Sequence, residues 1–501
     1  HTALPCLGPR GKLPGSIAPE RSAMAGDLKS LRAAVFPISN KDVPQFLLLG
    51  GLKFLVVFVL TLTRDLKDTL IVTSCGAEAI TFLKFYGVLP ASALFFMAYS
   101  KLSNLLSKSS LWIATATPFF IFYVLFAFAV PALDLDNMRP AEVAGLQYAQ
   151  CVVQRWPFAL FYVMSELYSS VSIGILFWQF ANDVVPVDKS TSYYPLFAQV
   201  SSLAPIVTGV YVERYAANGQ VTMSTSVRRV VGAVTACGIL MIGLHQFYLR
   251  HYQTPATAQE KSKTGKREKP KLSMLQSVRF LASSSYLGYL SVLVLSYGLT
   301  IQFTDIIWKS MVKKAYPDPI EYQRYTAQFS RMVGMTTFFV IFIGSNIVKH
   351  LGWKFGALAT PMMMFVLALP FFAVLLLEDM NDLNHTSLMA VVTLGACQSM
   401  LSKAAKNALF DPTTQMAYIP LDAESKVKGK AAIDVMGSRF GKSGGALIQQ
   451  GLVLVFGSII TAAPAVAALF FAVIAAWVYS AFQLAEQFEA KLKAKEKDKE
   501  S

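Results

Sequence analysis

Residues 44–63 read PQFLLLGGLKFLVVFVLTLT, and Lys53 carries the only charge in this segment. About 20 apolar residues in a helix are enough to cross the hydrocarbon core of a bilayer. The segment RDLKD follows directly at 64–68 and brings four charges at once. We therefore predict a membrane-spanning helix that ends in a charged cluster.

The composition of the whole chain indicates the same class of protein. Of its 501 residues, 54% are hydrophobic and 15% are charged, and the mean hydropathy is +0.47. Soluble domains carry about 25% charged residues, so a soluble chain this apolar would be hard to keep in water. Disordered, collagen-like and disulfide-rich classes have other compositions and are excluded. The chain is predicted to be an all-α polytopic membrane protein.

About twelve apolar stretches are long enough to span a membrane, and a basic linker separates them into two groups of six. This arrangement is typical of major-facilitator-like transporters, whose halves are parallel repeats around a site near the bilayer midplane. A weak internal similarity agrees, because TRDLK (63–67) and TDIIWK (304–309) both place an acid and a cation at the end of a span. The predicted spans are 44–63, 79–99, 111–132, 156–180, 194–212, 229–249, 285–308, 332–349, 355–377, 386–410, 443–461 and 464–483.

The basic residues orient the chain. Most of the 45 Lys and Arg residues fall on the side that holds both termini and the linker, so the positive-inside rule turns that side towards a cytosol-like compartment. The linker lysines are expected to face anionic lipid and not nucleic acid. The predicted segments are a basic N-terminal segment, processed or disordered before it becomes juxtamembrane (1–43), an N-terminal half (44–249), the linker (250–284), a C-terminal half (285–483) and a charged tail (484–501).

Cysteine and histidine give no sign of a metal or cofactor site. The cysteines are odd in number and widely scattered, without a CxxC motif, and no two histidines lie four residues apart. We therefore expect no metal and no cofactor, and we expect every cysteine to be reduced, buried and inert. The five cysteines are Cys6, Cys75, Cys151, Cys237 and Cys397.

Ionisable residues at membrane depth indicate a site, because each is costly there unless it is paired or faces water. Glu166 lies in the middle of the fourth span, with no basic residue within a turn on either side. Cations outnumber acids in the set, and a cavity lined by cations fits a substrate with several negative charges. Pairing across helices or snorkelling, without a substrate role, is the alternative for most of them. The set comprises Lys53, Arg64, Asp65, Lys67, Asp68, Lys84, Glu166, Asp305, Lys309, Lys403, Lys406, Asp411, Asp434, Arg439 and Lys442.

The segment Gly441-Lys442-Ser443 is similar to part of a phosphate-binding loop. The full signature is GxxxxGK[ST] after a strand, but Met436 stands where the first glycine belongs and no buried strand precedes it. A Walker A loop is therefore excluded. Lys442 and the backbone N–H groups at the start of the eleventh span remain candidates to hold phosphate oxygens.

Several long motifs identify a family. They are TRDLKDTLIV (63–72), FLK (82–84), YSKLSN (99–104), FWQFAN (177–182), WKS (308–310) and the run 404–450, with FDP, AYIPLD, KVKGKAAID and GKSGG. In these motifs the chain resembles the nucleotide transporter (ATP/ADP translocase-type) family of plastids and intracellular bacteria, over about residues 30–483. It is most similar to algal plastid nucleoside triphosphate transporters, those of diatoms in particular.

The resemblance implies a secondary-active transporter and not an enzyme. Its substrates would be nucleoside triphosphates and diphosphates, moved by alternating access across the plastid envelope of an alga, as counter-exchange or with proton coupling. Carried over by motif, the family's charged substrate residues fall on Lys67, Glu166, Asp305 and Lys442. The two lysines, one from each half, would bind the phosphates, and the two acids would neutralise them in the empty cavity or carry a coupling proton. Second-rank candidates are Arg64, Lys309, Arg439 and Gln415.

Two departures from the family pattern bear on the substrate. Asp305 and Gln415 both stand where many members carry Glu. The second change favours a range of NTPs or dNTPs, or proton-coupled uptake, over strict ATP/ADP exchange. The alternatives are a proton-coupled transporter of other phosphorylated anions, such as sugar phosphates, and a membrane-embedded nucleotide-binding enzyme. Tyr162 and Tyr168 are candidates to stack on a base, although aromatic residues at helical spacing more often pack in a core.

Overall fold

The computed structural model describes residues 38–137, 140–252, 281, 284–378, 384–422, 425, 429–430, 432–433 and 441–500. Within these ranges the chain forms helices and no strand, which confirms the all-α class. A segment inside a bilayer finds no water for its backbone N–H and C=O groups, and a helix satisfies them internally. We number the main helices α1 (Val43–Cys75), α2 (Ala79–Leu105), α3 (Lys108–Leu133), α4 (Gln147–Gln154), α5 (Trp156–Val184), α6 (Val187–Tyr211), α7 (Met223–Tyr252), α8 (Ser285–Ala315), α9 (Pro319–Leu377), α10 (His385–Met416), α11 (Lys442–Phe456) and α12 (Ala463–Glu500).

In the described part of the chain, ten helices are long and apolar enough to cross a membrane. The twelve predicted spans differ from this set in two places. Spans 332–349 and 355–377 both lie in α9, which breaks at Gly352, where φ is +83°, a backbone conformation that glycine adopts without a steric penalty. Only its second part, His350–Leu377, qualifies as a membrane span. The predicted span 443–461 ends early, at Phe456, because Gly457 takes a φ of +84° and the chain turns.

The ends of the chain and the linker correspond only partly to described residues. Residues 1–37, 253–280 and 282–283 lie outside the described ranges, and with them most of the N-terminal segment and of the linker. The last helix, α12, continues beyond the predicted span 464–483 and through the charged tail as far as Glu500.

The helices pack first within a first group (α1–α7) and a second group (α8–α12), and then across the two groups. In the first group α1 lies against α5, α6 and α7; in the second, α8 lies against α10 and α12, and α9 against the same two helices. The contacts that join the groups include those of α6 with α9, of α2 with α11, and of α1 with both α8 and α9. The inner surface of this arrangement contains the charged part of α1.

Small residues allow α6 and α9 to approach each other closely. A Cβ atom added to Gly209 would lie 2.6 Å from the carbonyl oxygen of Ala327, and one added to Gly334 would lie 2.9 Å from that of Ser202. Glycine at helix interfaces in membranes lets two backbones come together in this way. The contact therefore depends on the absence of side chains at these two positions.

Short π-helical turns interrupt several spans beside charged residues. Such turns often occur at functional sites, because one extra residue changes where the following side chains point. The turn Leu83–Val88 carries Lys84, and the turn Ser172–Gln179 follows Glu166 by less than two helical turns. The turn Lys406–Phe410 follows Lys403 within α10.

A disulfide corrects the prediction for two of the cysteines. Cys75, the last residue of α1, is bonded to Cys151 in α4, with Cα atoms 5.8 Å apart. Because 76 residues separate them in sequence, their spacing gives no signal of the pair. Cys237 and Cys397 are free, as expected, but both are only partly buried, and Cys6 lies outside the described residues.

Candidate functional site

A charged cavity lies between the two groups of helices. It encloses about 930 Å³ of space free of protein atoms, part of which is open to solvent. Five cations and four carboxylates line it, together with a few polar and aromatic side chains. The charged residues are Arg64, Asp65, Lys67, Asp68, Lys84, Glu166, Asp305, Lys309 and Lys403.

A chain of ion pairs crosses the cavity from one group of helices to the other. Asp68 on α1 accepts from Lys67 Nζ at 2.7 Å through one oxygen and from Lys309 Nζ on α8 at 2.9 Å through the other. Lys67 also pairs with Glu166 at 2.9 Å, and Lys309 with Asp305 at 2.6 Å. Each lysine is thus shared by two carboxylates, and Asp68 joins the two groups.

A second link between the groups runs through a serine. Arg64 Nε lies 3.2 Å from Asp65 Oδ1, and Arg64 Nη2 donates to Ser330 Oγ on α9 at 3.1 Å. The serine hydroxyl in turn donates to Asp65 Oδ2 at 2.7 Å. This closed arrangement holds the end of the first predicted span against α9.

Two lysines in the cavity have no carboxylate partner within 4.0 Å among the described residues. Lys84 donates to Gln302 Oε1 at 2.6 Å, and Gln302 Nε2 donates onward to Gln449 Oε1 at 3.1 Å. Lys403 lies over the ring of Phe329, with Nζ 4.9 Å from the ring centroid. Both ammonium groups are therefore held by neutral neighbours.

The structure places most of the predicted site residues in this cavity. Four of the first- and second-rank candidates belong to the ion pairs across the cavity, namely Lys67, Glu166, Asp305 and Lys309. A fifth candidate, Arg64, belongs to the link through Ser330. Lys442 begins α11, but its side chain is not described. Arg439 lies outside the described residues. Gln415 is exposed away from the cavity and accepts from Lys430 Nζ at 2.7 Å.

Four other cavity residues belong to the predicted set of charges at membrane depth but were not predicted as substrate ligands. They are Asp65, Asp68, Lys84 and Lys403. Ser330 is one of many serines in the chain, and nothing in the sequence distinguishes it.

The two tyrosines near Glu166 have different surroundings. Tyr162 lines the cavity, and Lys67 Nζ lies 3.9 Å from the centroid of its ring. Tyr168 is buried in an aromatic cluster, edge-on to Phe119 and Phe120. It therefore belongs to the core and does not line the cavity, which agrees with the alternative of packing and not with a role in stacking on a base.

The end of the bundle away from the termini is closed by contacts between the two groups; we call it the closed end (76–78, 140–148 and 457–462). Gly145 N–H donates to the carbonyl of Gly457 at 2.8 Å. Ile459 N–H donates to the buried carboxyl of Glu78 at 3.4 Å, and Tyr148 hydrogen-bonds to the same carboxyl. Burial raises the pKa of Glu78, against the opposite effect of these hydrogen bonds.

No cluster of three or more His, Cys, Asp or Glu side chains suited to a metal ion occurs in the part of the chain that the structure describes. The four carboxylates of the cavity instead all lie against ammonium or guanidinium groups. The arrangement is suited to binding a polyanion, which would compete with the carboxylates for the cations.

Known proteins are similar to this chain over most of its length. Residues 22–488 match the family described as TLC ATP/ADP transporter. ADP,ATP carrier protein 1 of Chlamydia trachomatis is 37% identical, over 93% of this chain and 93% of its own length. The chloroplastic ADP,ATP carrier protein 1 of Arabidopsis thaliana is 35% identical over 93% of this chain and 77% of its own, and the plastidic ATP/ADP-transporter of Solanum tuberosum is 35% identical over 88% and 72%.

Solved structures show a similar fold at low sequence identity. A bacterial homologue of the iron transporter ferroportin superimposes with a TM-score of 0.57, at 11% identity, over 90% of this chain and 100% of its own. The xylose transporter XylE from E. coli gives a TM-score of 0.52, at 13% identity, over 88% and 95%. The likeness concerns the fold alone, and it agrees with the predicted major-facilitator-like architecture.

Proposed function

Because this chain belongs to the TLC ATP/ADP transporter family, we propose that it is a secondary-active transporter that moves nucleotides across a membrane by alternating access. The membership confirms the resemblance found in the motifs. Relatives in this family are named as carriers, which favours transport over the alternative of a nucleotide-binding enzyme. The family also favours nucleotides over other phosphorylated anions such as sugar phosphates.

The proposed mechanism rests on the chain of ion pairs across the cavity. In the empty cavity, Asp68, Glu166 and Asp305 neutralise Lys67 and Lys309. A nucleotide's phosphates compete with these carboxylates for the lysines, so binding breaks contacts between the two groups of helices. Unpaired charges are costly in a membrane interior. The change of access therefore occurs when the lysines of the cavity are either paired with its carboxylates or bound to a polyanion.

Alternating access then consists of a rocking movement of the two halves, 44–249 and 285–483. The closed end must open for release on that side, and the contact between α6 and α9 must loosen. Lys442, at the start of α11, belongs to the second half and would contribute a further phosphate ligand as the halves move. Glu166 and Asp305 serve as counter-charges in exchange, or as proton carriers in symport.

The protein is an integral membrane protein, and we assign it to the plastid envelope of an alga. Two of the relatives are plastid carriers, and the motif resemblance points the same way. A bacterial carrier is also similar, at 37% identity, which fits a family shared by plastids and intracellular bacteria.

Uptake of labelled ATP into proteoliposomes tests the proposal. The vesicles are either empty or preloaded with ADP, and each kind is assayed with and without an imposed pH gradient. Uptake that requires preloaded ADP supports counter-exchange, and uptake into empty vesicles driven by the gradient supports proton coupling. Absence of uptake of ATP, ADP and the other NTPs under all conditions would refute nucleotide transport.

A Lys67→Gln variant links the activity to the cavity. It removes the cation that Asp68 and Glu166 share, and we expect uptake to fall by at least about tenfold. Lys108→Gln is the matched control, because the side chain of Lys108 is 78% exposed and does not line this cavity. Equal uptake by the two variants would show that transport does not depend on Lys67 in this cavity.

A further inference from the structure

We propose that Lys84 and Lys403 are the first ligands of the substrate's phosphate groups, and that together they select a polyphosphate. This inference rests on the proposed nucleotide transport and adds two residues to the binding site. The cavity holds two kinds of cation, those paired with carboxylates and those with only neutral neighbours.

Three of the five cations are already engaged by carboxylates. Arg64 pairs with Asp65, while Lys67 and Lys309 share the remaining three acids. A phosphate that approaches any of these cations must first displace a carboxylate. Displacement costs the charge-assisted hydrogen bonds that hold the pair.

Lys84 and Lys403 offer positive charge without that cost. The Lys84 ammonium donates to the neutral amide oxygen of Gln302, and Lys403 faces the ring of Phe329. Neither has a carboxylate within 4.0 Å among the described residues, although both line the same cavity as Asp305 and Lys309. A partly buried ammonium without an ionic partner is costly at membrane depth, and a bound phosphate would supply the missing charge.

The two lysines also come from different groups of helices. Lys84 is carried by the π-helical turn of α2 in the first group of helices, and Lys403 by α10 in the second. A chain of several phosphates carries more charge and reaches further than a single phosphate, and it is therefore better suited to contact both ammonium groups at once. Contact with both lysines would therefore favour nucleoside di- and triphosphates over monophosphates, and would draw the two halves together.

Charge-removing variants test the assignment by their effect on affinity. For Lys84→Gln and Lys403→Gln we expect the apparent KM for ATP to rise about tenfold or more, a change of about 1.4 kcal/mol, with a smaller change in kcat. Inhibition of ATP uptake by inorganic tripolyphosphate should weaken by a similar factor. Lys84→Arg and Lys403→Arg keep the charge and should retain most of the affinity, and Lys108→Gln should match the wild type.

A second measurement uses the wild-type protein and does not depend on the folding of variants. Lysines are acetylated with and without tripolyphosphate, and the modified positions are read by mass spectrometry. Protection of Lys84 and Lys403 by tripolyphosphate supports the proposal, and labelling that tripolyphosphate leaves unchanged at both overturns it. So does a KM for ATP within twofold of wild type in both Gln variants. If the wild type transports ATP in that case, only this inference fails; if it transports no nucleotide, the proposed function fails.

Discussion

Asp68 is the single side chain whose loss should weaken the contact between the two groups of helices most. Its two oxygens bind Lys67 and Lys309, at 2.7 and 2.9 Å, and its side chain is 9% exposed. Removing one partner of a buried ion pair costs about 3–5 kcal/mol. In Asp68→Asn each lysine keeps one other carboxylate, Glu166 or Asp305. We therefore expect the lower end of the range, a loss of about 3 kcal/mol in the free energy of unfolding.

The loss is measured by SDS titration of the purified protein, followed by tryptophan fluorescence. About 3 kcal/mol corresponds to a factor of roughly 150 in the unfolding equilibrium. The control is Asp183→Asn, which removes the partner of Lys108 at a site where the two side chains are 33% and 78% exposed. Exposed pairs contribute only about 0–1 kcal/mol. An Asp68→Asn protein that unfolds at the same SDS concentration as the control would refute the reasoning.

Three further predictions concern the closed end and the helix contact beside it. Gly209→Val should destabilise the protein by about 1–3 kcal/mol, the usual cost of overpacking, because the added side chain meets the α9 backbone at 2.6 Å; SDS titration measures the loss. Reduction of the disulfide between Cys75 and Cys151 should cost about 2–4 kcal/mol, seen as a lower melting temperature in the presence of a phosphine reductant. Burial raises the pKa of Glu78, so the neutral carboxyl favours the closed end. That stabilisation is full below the pKa of an exposed Glu and is lost as the pH rises through the raised pKa, which melting temperatures measured across pH would record.

Each of these predictions has a matched control. Gly243→Val should be neutral, because nothing lies within 4 Å of a Cβ added there. A Cys237→Ser protein should respond to the reductant like the wild type, since Cys237 is free, whereas Cys75→Ser should not respond. The melting temperature of Glu78→Gln should lose the pH dependence assigned to this group; a pH profile equal to that of the wild type would show that Glu78 does not cause it.

The sequence by itself determined the class of protein and most of the chemistry of the cavity. Apolar stretches of about 20 residues have one stable form in a bilayer, because only a helix satisfies its own backbone there. Charges within such stretches are costly enough to mark a functional site, and this argument found Lys67, Glu166, Asp305 and Lys309 before any contact was known. The long motifs added the family.

Only the tertiary structure decided which charges pair with which. The sequence places Lys67 beside Asp68, but it cannot show that Asp68 also reaches Lys309, 241 positions away, and so joins the two groups of helices. Nor can it show that Lys84 and Lys403 are left with neutral partners. Long-range pairing depends on how helices rotate and approach, and that is set by packing such as the α6–α9 contact at Gly209. The disulfide has the same origin, because the end of α1 and the distant helix α4 meet only in the folded chain.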